Sequence, residues 1–84
     1  MNTAYLNKWR NLNKVLEEYT FVISHTIDDW YHCYYSNRFD GRIEYDIESD
    51  EISIYDVDNI EIKYLSESTL NELELRNTLE FILI

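Results

Sequence analysis

A long stretch in the second half of the chain alternates apolar and polar residues with a period of two. Over residues 42–65, isoleucine or tyrosine alternates with aspartate, glutamate or serine almost without interruption. This period is typical of a β-strand with one buried and one solvated face. A turn at residues 49–50 folds the stretch into a hairpin and sets Glu48 opposite Glu51. The pattern therefore predicts two strands with one apolar and one acidic face.

The first part of the chain predicts an amphipathic helix over about residues 3–18. Apolar side chains recur at helical spacing, and charged or amide side chains occupy the other side. The apolar stripe consists of Tyr5, Leu6, Trp9, Leu12, Val15, Leu16 and Tyr19. Asn2 or Thr3 can cap the N-terminus, because their side-chain oxygens accept hydrogen bonds from free backbone N–H groups. We expect the apolar stripe to face the core.

Two further strands are predicted between this helix and the acidic hairpin. β-branched and aromatic residues flank residues 28–29, which is typical of a hairpin with a two-residue turn, and this register sets His25 opposite His32. Asp40-Gly41 predicts the next turn, because both central positions of a type I′ turn need a positive φ. Counted through these turns, the apolar side chains stay on one face of four strands.

A fifth strand is expected over residues 60–64. It keeps the apolar face only if residues 57–59 form a three-residue loop with Asn59 in the left-handed conformation. In that register Ile62 lies opposite Ile54. This strand decides between a sheet of four strands and a sheet of five.

The C-terminal residues predict a second helix that begins near Thr69, which is spaced from Glu72 as in a capping box. Its apolar residues form two stripes, one with Phe81 and one with Leu79, so the helix needs cover on two sides. Three arrangements meet this need: packing between the sheet and the first helix, a homodimer contact, or a terminal strand over residues 79–84. We favour the packed helix.

These elements predict one domain, residues 1–84, of the α+β class. We expect an antiparallel β-meander of four or five strands, covered by an N-terminal and a C-terminal helix. The composition agrees with a folded chain. Hydrophobic residues make up 45% of the sequence, which is too apolar for a disordered chain despite the net charge of −10.

The composition also excludes several classes of function. One glycine and no proline leave no glycine-rich phosphate loop, so P-loop and dinucleotide-binding proteins are excluded. Cys33 is the only cysteine and forms no internal disulfide, and the N-terminus lacks the apolar run of a signal peptide. The longest apolar run, residues 81–84, is far shorter than the ~20 residues of a membrane span. We therefore expect a soluble, cytoplasmic protein.

Acidic charge is concentrated in one part of the chain. From Asp40 to Glu61 there are nine carboxylates and one base, Arg42. The whole chain has seven bases against 17 acids, and phosphate affinity comes from lysine and arginine, so direct binding to nucleic acid or an anionic membrane is disfavoured. A partner is expected to be basic.

No catalytic, metal or cofactor site is predicted. His25, His32 and Cys33 are zinc-ligand types, but Cys33 points away from the two histidines in the predicted hairpin and no fourth ligand has a suitable spacing. The carboxylates lack the glycine and glutamate positions of an EF-hand calcium loop. Acid–base catalysis needs a pocket that separates two carboxyl pKa values, which an exposed strand face does not supply. We expect the protein not to be an enzyme.

The acidic face is predicted to bind a protein. Carboxylates two residues apart along a strand lie about 6.6 Å apart, close to the phosphate spacing of a nucleic-acid strand. Tyrosine, which is favoured at interfaces, lies on the same face. The predicted contact residues are Tyr35, Glu44, Asp46, Glu48, Asp50, Glu51, Tyr55, Asp56 and Asp58. A face that serves solubility alone is the alternative, although opposed like charges destabilise a sheet and mixed charges would serve solubility equally well.

In size, charge, absence of proline and order of elements, the chain resembles the small acidic inhibitors encoded by phages and other mobile elements. These include anti-CRISPR and anti-restriction proteins and inhibitors of DNA-repair enzymes. The features that carry the resemblance are a helix, the strand entry YTFV at residues 19–22 and the acidic hairpin DGRIEYDIESDE at residues 40–51. The resemblance implies a nucleic-acid mimic that blocks a basic nucleic-acid-binding protein, such as a nuclease, by contact. An immunity protein or antitoxin is the alternative, because its acidic face also meets a basic site.

Overall fold

The computed structural model describes residues 2–84 and contains two helices and one five-stranded sheet. The helices are α1 (Thr3–Glu18) and α2 (Glu72–Ile82), and the strands are β1 (Val22–Asp28), β2 (Tyr31–Ser36), β3 (Phe39–Asp46), β4 (Glu51–Tyr55) and β5 (Glu61–Leu65). Each strand pairs antiparallel with the next one along the chain. The predicted α+β meander with an N-terminal and a C-terminal helix is confirmed, with five strands.

The ends of α1 are fixed by local hydrogen bonds. Asn2 caps the N-terminus, since its Oδ1 accepts from the backbone N–H of Ala4 at 2.8 Å. At the C-terminus the N–H of Phe21 donates to the carbonyl of Leu16 at 2.9 Å, and the N–H of Thr20 donates to that of Glu17 at 3.0 Å. This is a Schellman motif, and it holds Thr20 at a φ of 73°, where glycine is usual. The chain thereby turns directly from α1 into β1.

The core lies between the two helices and one face of the sheet. Leu12, Val15 and Leu16 of α1 are buried there, as are Leu75 and Leu79 of α2. The sheet side of the core consists of Tyr34, Ile43, Tyr45, Ile47, Ile52, Ile54 and Leu65. The other face of the sheet has no helix against it.

The turn between β3 and β4 is longer than the sequence predicts. Asp46 lies opposite Glu51, and residues 47–50 form the turn, so Glu48 does not face Glu51. The reason is that Asp46 Oδ1 accepts from the N–H groups of Glu48 and Ser49 at 3.1 and 3.3 Å. Asp50 then closes the turn with a φ of 55°. Because the register moves by two residues, the apolar and acidic faces keep their sides.

The turn between β2 and β3 lies at residues 37–38, so the prediction at Asp40-Gly41 is wrong. Gly41 is instead a position inside β3 without a positive φ. A Cβ there would lie 1.8 Å from the carbonyl oxygen of Tyr55. The glycine is therefore needed for a close approach of two backbones, which is one of the usual reasons for glycine within a strand.

The two histidines of the first hairpin lie on different sides of the sheet. His25 pairs with Cys33, and His32 pairs with Thr26, because irregularities in β1 shift the register. His32 faces α1, where its ring contacts that of Trp9 edge-on at 4.9 Å between centroids. The predicted opposition of His25 and His32 is therefore wrong.

The loop before β5 agrees with the sequence, but the register of β5 does not. Asn59 has a φ of 64°, as predicted, and Asp56 pairs with Ile60 across the loop. The pairing then slips by one residue, which leaves Ile62 as the extra residue of a β-bulge. Consequently Lys63 lies opposite Ile54, and Tyr64 moves to the face without helices.

Helix α2 continues to Ile82, which excludes the terminal strand over residues 79–84. Its N-cap is Asn71, whose Oδ1 accepts from the N–H of Glu74 at 2.9 Å, so the predicted capping box at Thr69 is wrong. Leu79 is buried, whereas Phe81 is exposed. Within α2, the stripe with Leu79 therefore packs on the core, and the stripe with Phe81 stays uncovered.

Candidate protein-binding face

The sheet face without helices, called the outer face here, carries most of the predicted contact residues. Alternate residues of a strand point to opposite faces, and antiparallel partners share a side. On strands β2–β5 the outer face consists of Tyr31, Cys33, Tyr35, Arg42, Glu44, Asp46, Glu51, Ser53, Tyr55, Glu61 and Tyr64. It therefore combines tyrosines with carboxylates, and Arg42 is its one base.

The nine predicted contact residues divide into three groups. Tyr35, Glu44, Asp46, Glu51 and Tyr55 lie together on the outer face. Glu48 and Asp50 belong to the turn at one end of β3, and Asp56 and Asp58 belong to the loop at the opposite end of β4. The structure thus brings five of the nine together.

Asp50 is part of the fold and not of an exposed surface. It is 2% exposed, and its Oδ2 lies 2.7 Å from Nζ of Lys8 on α1. Asp56 also has a structural role, because its Oδ1 accepts from the N–H groups of Asp58 and Ile60 at 2.9 and 3.0 Å. Glu48 and Asp58 remain exposed at the two ends of the sheet.

Glu44 is compensated from within the outer face. Arg42 Nε donates to its Oε2 at 2.7 Å, and the hydroxyl of Tyr31 donates to its Oε1. The guanidinium of Arg42 also lies over the ring of Tyr55, with Cζ 4.3 Å from the ring centroid. The hydrogen bond to Glu44 raises the pKa of Arg42. Burial, followed by the bond to Glu44, raises the pKa of Tyr31.

Asp46 and Glu51 form a pair of like charges directly opposite each other on β3 and β4. Neither carboxylate takes part in the ion pairs found between residues 2 and 84. Glu51 accepts a hydrogen bond from the hydroxyl of Tyr64 at 2.5 Å, and this bond raises the pKa of the phenol. Glu44 therefore has a basic partner, whereas Glu51 has only the hydroxyl of Tyr64 and Asp46 has only the backbone N–H groups of Glu48 and Ser49.

Cys33 lies on the outer face but beneath larger neighbours, and it is 3% exposed. Burial, with a smaller contribution from Glu44, raises the pKa of the thiol. A raised pKa keeps the sulfur in its protonated form, whereas nucleophilic cysteines have a lowered pKa. Cys33 therefore packs under the outer face.

The alternation of the sequence predicts Tyr31 on the same face as Tyr35 and Tyr55, and the structure confirms this, although Tyr31 is not among the nine predicted contact residues. Arg42 and Tyr64 were missed as contact candidates. Arg42 was counted only as an exception to the acidic charge. Tyr64 could not be found, because the bulge at Ile62 decides its side and has no clear signal in the sequence.

Other parts of the described chain show no comparable arrangement of chemical groups. Within residues 2–84, no three His, Cys, Asp or Glu side chains are grouped so that they could hold a metal ion. No helix in this range is long and apolar enough to cross a membrane. A groove of about 390 Å³ runs between β5 and α2, lined by Ile62, Lys63, Glu74, Asn77, Thr78 and Phe81.

Comparison with known proteins adds no relative to this picture. No protein-family model, curated protein sequence or solved structure matches the chain.

Proposed function

We propose that the protein is an acidic inhibitor that blocks the nucleic-acid-binding surface of a basic protein, such as a nuclease. It acts by contact in the cytoplasm, as anti-CRISPR and other anti-defence proteins do, and needs neither catalysis nor a cofactor. The resemblance of the sequence to such inhibitors is one source of this proposal. The other is the arrangement of the outer face.

The observation that carries the proposal is the pair of Asp46 and Glu51, which lie opposite each other without a basic partner. Like charges directly opposite in a sheet are destabilising. Within the described residues no ion pair includes either carboxylate, and Arg42, the one base on the outer face of β2–β5, pairs with Glu44. A basic partner would supply the positive charge that this pair lacks.

The spacing of the carboxylates also supports the proposal. Glu44 and Asp46 are two residues apart on β3, which corresponds to about 6.6 Å along the strand. The flanking tyrosines supply the aromatic surface that protein interfaces favour. Tyr35 and Tyr64 are 40% and 47% exposed, so both rings are available for contact. A groove that binds phosphates in a row would therefore meet carboxylates at a comparable spacing, of which Glu44 is already paired with Arg42.

The first experiment identifies the partner and then tests the face. The tagged protein is used to capture proteins from the cells in which it acts, and the captured protein is purified. Its affinity is then measured for the wild type and for Glu51→Lys. We expect the variant to bind at least about tenfold more weakly, because attraction between opposed surfaces is replaced by repulsion. We also expect the partner's own nucleic acid to compete with the wild type.

Glu67→Lys is the matched control. Glu67, like Glu51, accepts a tyrosine hydroxyl, in this case that of Tyr5 at 2.6 Å, but it is more exposed than Glu51 and lies away from the outer face. Both substitutions change the net charge equally. Equal weakening by the two variants, or simultaneous binding of nucleic acid and inhibitor, would overturn the proposal. Capture of a toxin without a nucleic-acid site would favour the immunity-protein alternative.

A further inference from the structure

Exposed apolar side chains are grouped at the groove between β5 and α2. Ile62 and Phe81 line this groove and are 45% and 76% exposed. On α2, Leu73, Asn77 and Phe81 are spaced by four residues and therefore follow one another along one side of the helix, and Leu73 is also 66% exposed. Exposed apolar side chains gathered in one place are typical of a contact with another molecule.

The same groove carries one base and one acid that have no ionic partner. Lys63 lies on the β5 side of the groove, and Glu74 lies on the α2 side. Neither side chain takes part in an ion pair in the part of the chain that the structure describes, whereas Lys8, Arg42 and Arg76 pair with carboxylates of their own chain. The groove therefore offers a positive and a negative group to another molecule.

A second copy of the chain has the charges that match this groove. In a two-fold contact the same patch meets itself, so a residue that contacts another across the axis is contacted in return. Lys63 of each copy can therefore pair with Glu74 of the other, which satisfies all four charges. A partner with a uniformly basic or uniformly acidic surface would satisfy one of these groups and repel the other.

The free edge of β5 is less suited to such a contact than the groove. β5 is the last strand of the sheet, so its outer edge could in principle pair with another strand. However, Lys63 lies opposite Ile54 on the helix side, and an inward-pointing charge on an edge strand hinders strand pairing. The bulge at Ile62 twists the same edge. A second copy therefore meets the side chains of the groove and does not extend the sheet.

We propose that the groove between β5 and α2 is the interface of a two-fold homodimer. Lys63 of each copy pairs with Glu74 of the other, and the two Phe81 side chains are buried in the contact. The outer face lies on the other side of the sheet from α2, so the dimer leaves it uncovered. The homodimer does not depend on the function proposed for that face.

Sedimentation equilibrium of the purified chain, in salt that screens the repulsion between two copies of net charge −10, tests the dimer. We expect the mass to rise from 10.3 kDa towards twice that value as the protein concentration approaches about 1 mM. Lys63→Glu and Glu74→Lys should each raise the dissociation constant at least about tenfold, because both ion pairs become repulsive. The two variants change the net charge in opposite directions, so general repulsion cannot weaken both.

An equimolar mixture of Lys63→Glu and Glu74→Lys is the decisive sample. In the mixed dimer both contacts again join opposite charges, so we expect the mixture to dimerise about as well as the wild type. If the two charges instead paired within one chain, mixing would restore nothing.

Phe81→Ala should also weaken the dimer, because its side chain is buried only in the contact. Ile27→Ala is the matched control, since Ile27 is 68% exposed on β1, at the opposite edge of the sheet. A monomer at every concentration, a mixture that fails to dimerise, or equal weakening by these two alanine variants would overturn the proposed interface. A thermal melt of each variant verifies that the compared proteins are folded.

Discussion

The two apolar stripes of α2 differ in burial, so we expect substitutions of Leu79 and Phe81 to change stability by different amounts. Leu79 is fully buried in the core, whereas Phe81 is 76% exposed beside the open groove between α2 and β5. Leu79→Ala removes buried methyl groups and leaves a cavity, so we expect it to lower the free energy of unfolding by about 3 kcal/mol. Phe81→Ala removes a side chain that has lost only about a quarter of its exposure, and we expect a change below about 1 kcal/mol.

The expected loss at Leu79 is large relative to the whole. A domain of this length has roughly 4–13 kcal/mol of stability at 0.05–0.15 kcal/mol per residue. With a slope of about 2 kcal/mol per molar in guanidinium chloride, a loss of 3 kcal/mol lowers the unfolding midpoint by about 1.5 M. Circular dichroism during a guanidinium titration measures both variants against the wild type. Equal midpoint shifts for Leu79→Ala and Phe81→Ala would refute the assignment of the two stripes, and an unchanged midpoint for Leu79→Ala would refute its burial.

Three further predictions concern single positions of the fold. Thr20→Gly should raise the free energy of unfolding by about 0.5–1 kcal/mol, because the steric strain of threonine at a positive φ exceeds the extra backbone entropy that glycine loses on folding. A lower melting temperature would contradict this. Lys8→Met should lower it by about 2–3 kcal/mol, since the buried charge of Asp50 loses its partner. Adding Asp50→Asn should recover most of that loss in the same melt, because asparagine also tolerates a positive φ. Glu51→Gln should raise the melting temperature slightly at low salt, with a smaller gain at high salt, because it removes the repulsion from Asp46. A loss of stability at low salt would show that this repulsion is absent.

The sequence was sufficient for the order of elements and for the two faces of strands β2–β4, but not for the side of His25 on β1 or of Tyr64 on β5. The alternation over residues 42–65 survives any error of register by an even number of residues, which is why the misplaced turn at Asp50 did not move the faces. A slip of one residue exchanges the faces. The bulge at Ile62 produces such a slip, and it moved Tyr64 to the side opposite to the one predicted.

The sequence predicts the site only where the face of a residue follows from the alternation of residues along a strand. Glu44, Asp46 and Glu51 reach the outer face because alternation places them there. The burial of Asp50 depends instead on its contact with Lys8 of α1, which lies 42 residues earlier in the chain. The place of Gly41 likewise depends on the carbonyl of Tyr55 on another strand. Contacts of this kind have no local signal.

The central carboxylates of the outer face differ in whether they have a basic partner. This difference is the strongest reason to regard the face as more than a solvated surface. Glu44 has an arginine and a tyrosine hydroxyl from its own chain, so its charge costs the fold little. Glu51 lies opposite Asp46 with no base beside it in the described residues. Asp46 has a structural role, because its Oδ1 accepts from the N–H groups of the turn before β4, but solubility alone gives no reason to place Glu51 opposite it without a base. A surface that meets a basic partner has such a reason, because the repulsion is relieved only when the partner arrives, and that relief adds to the free energy of binding.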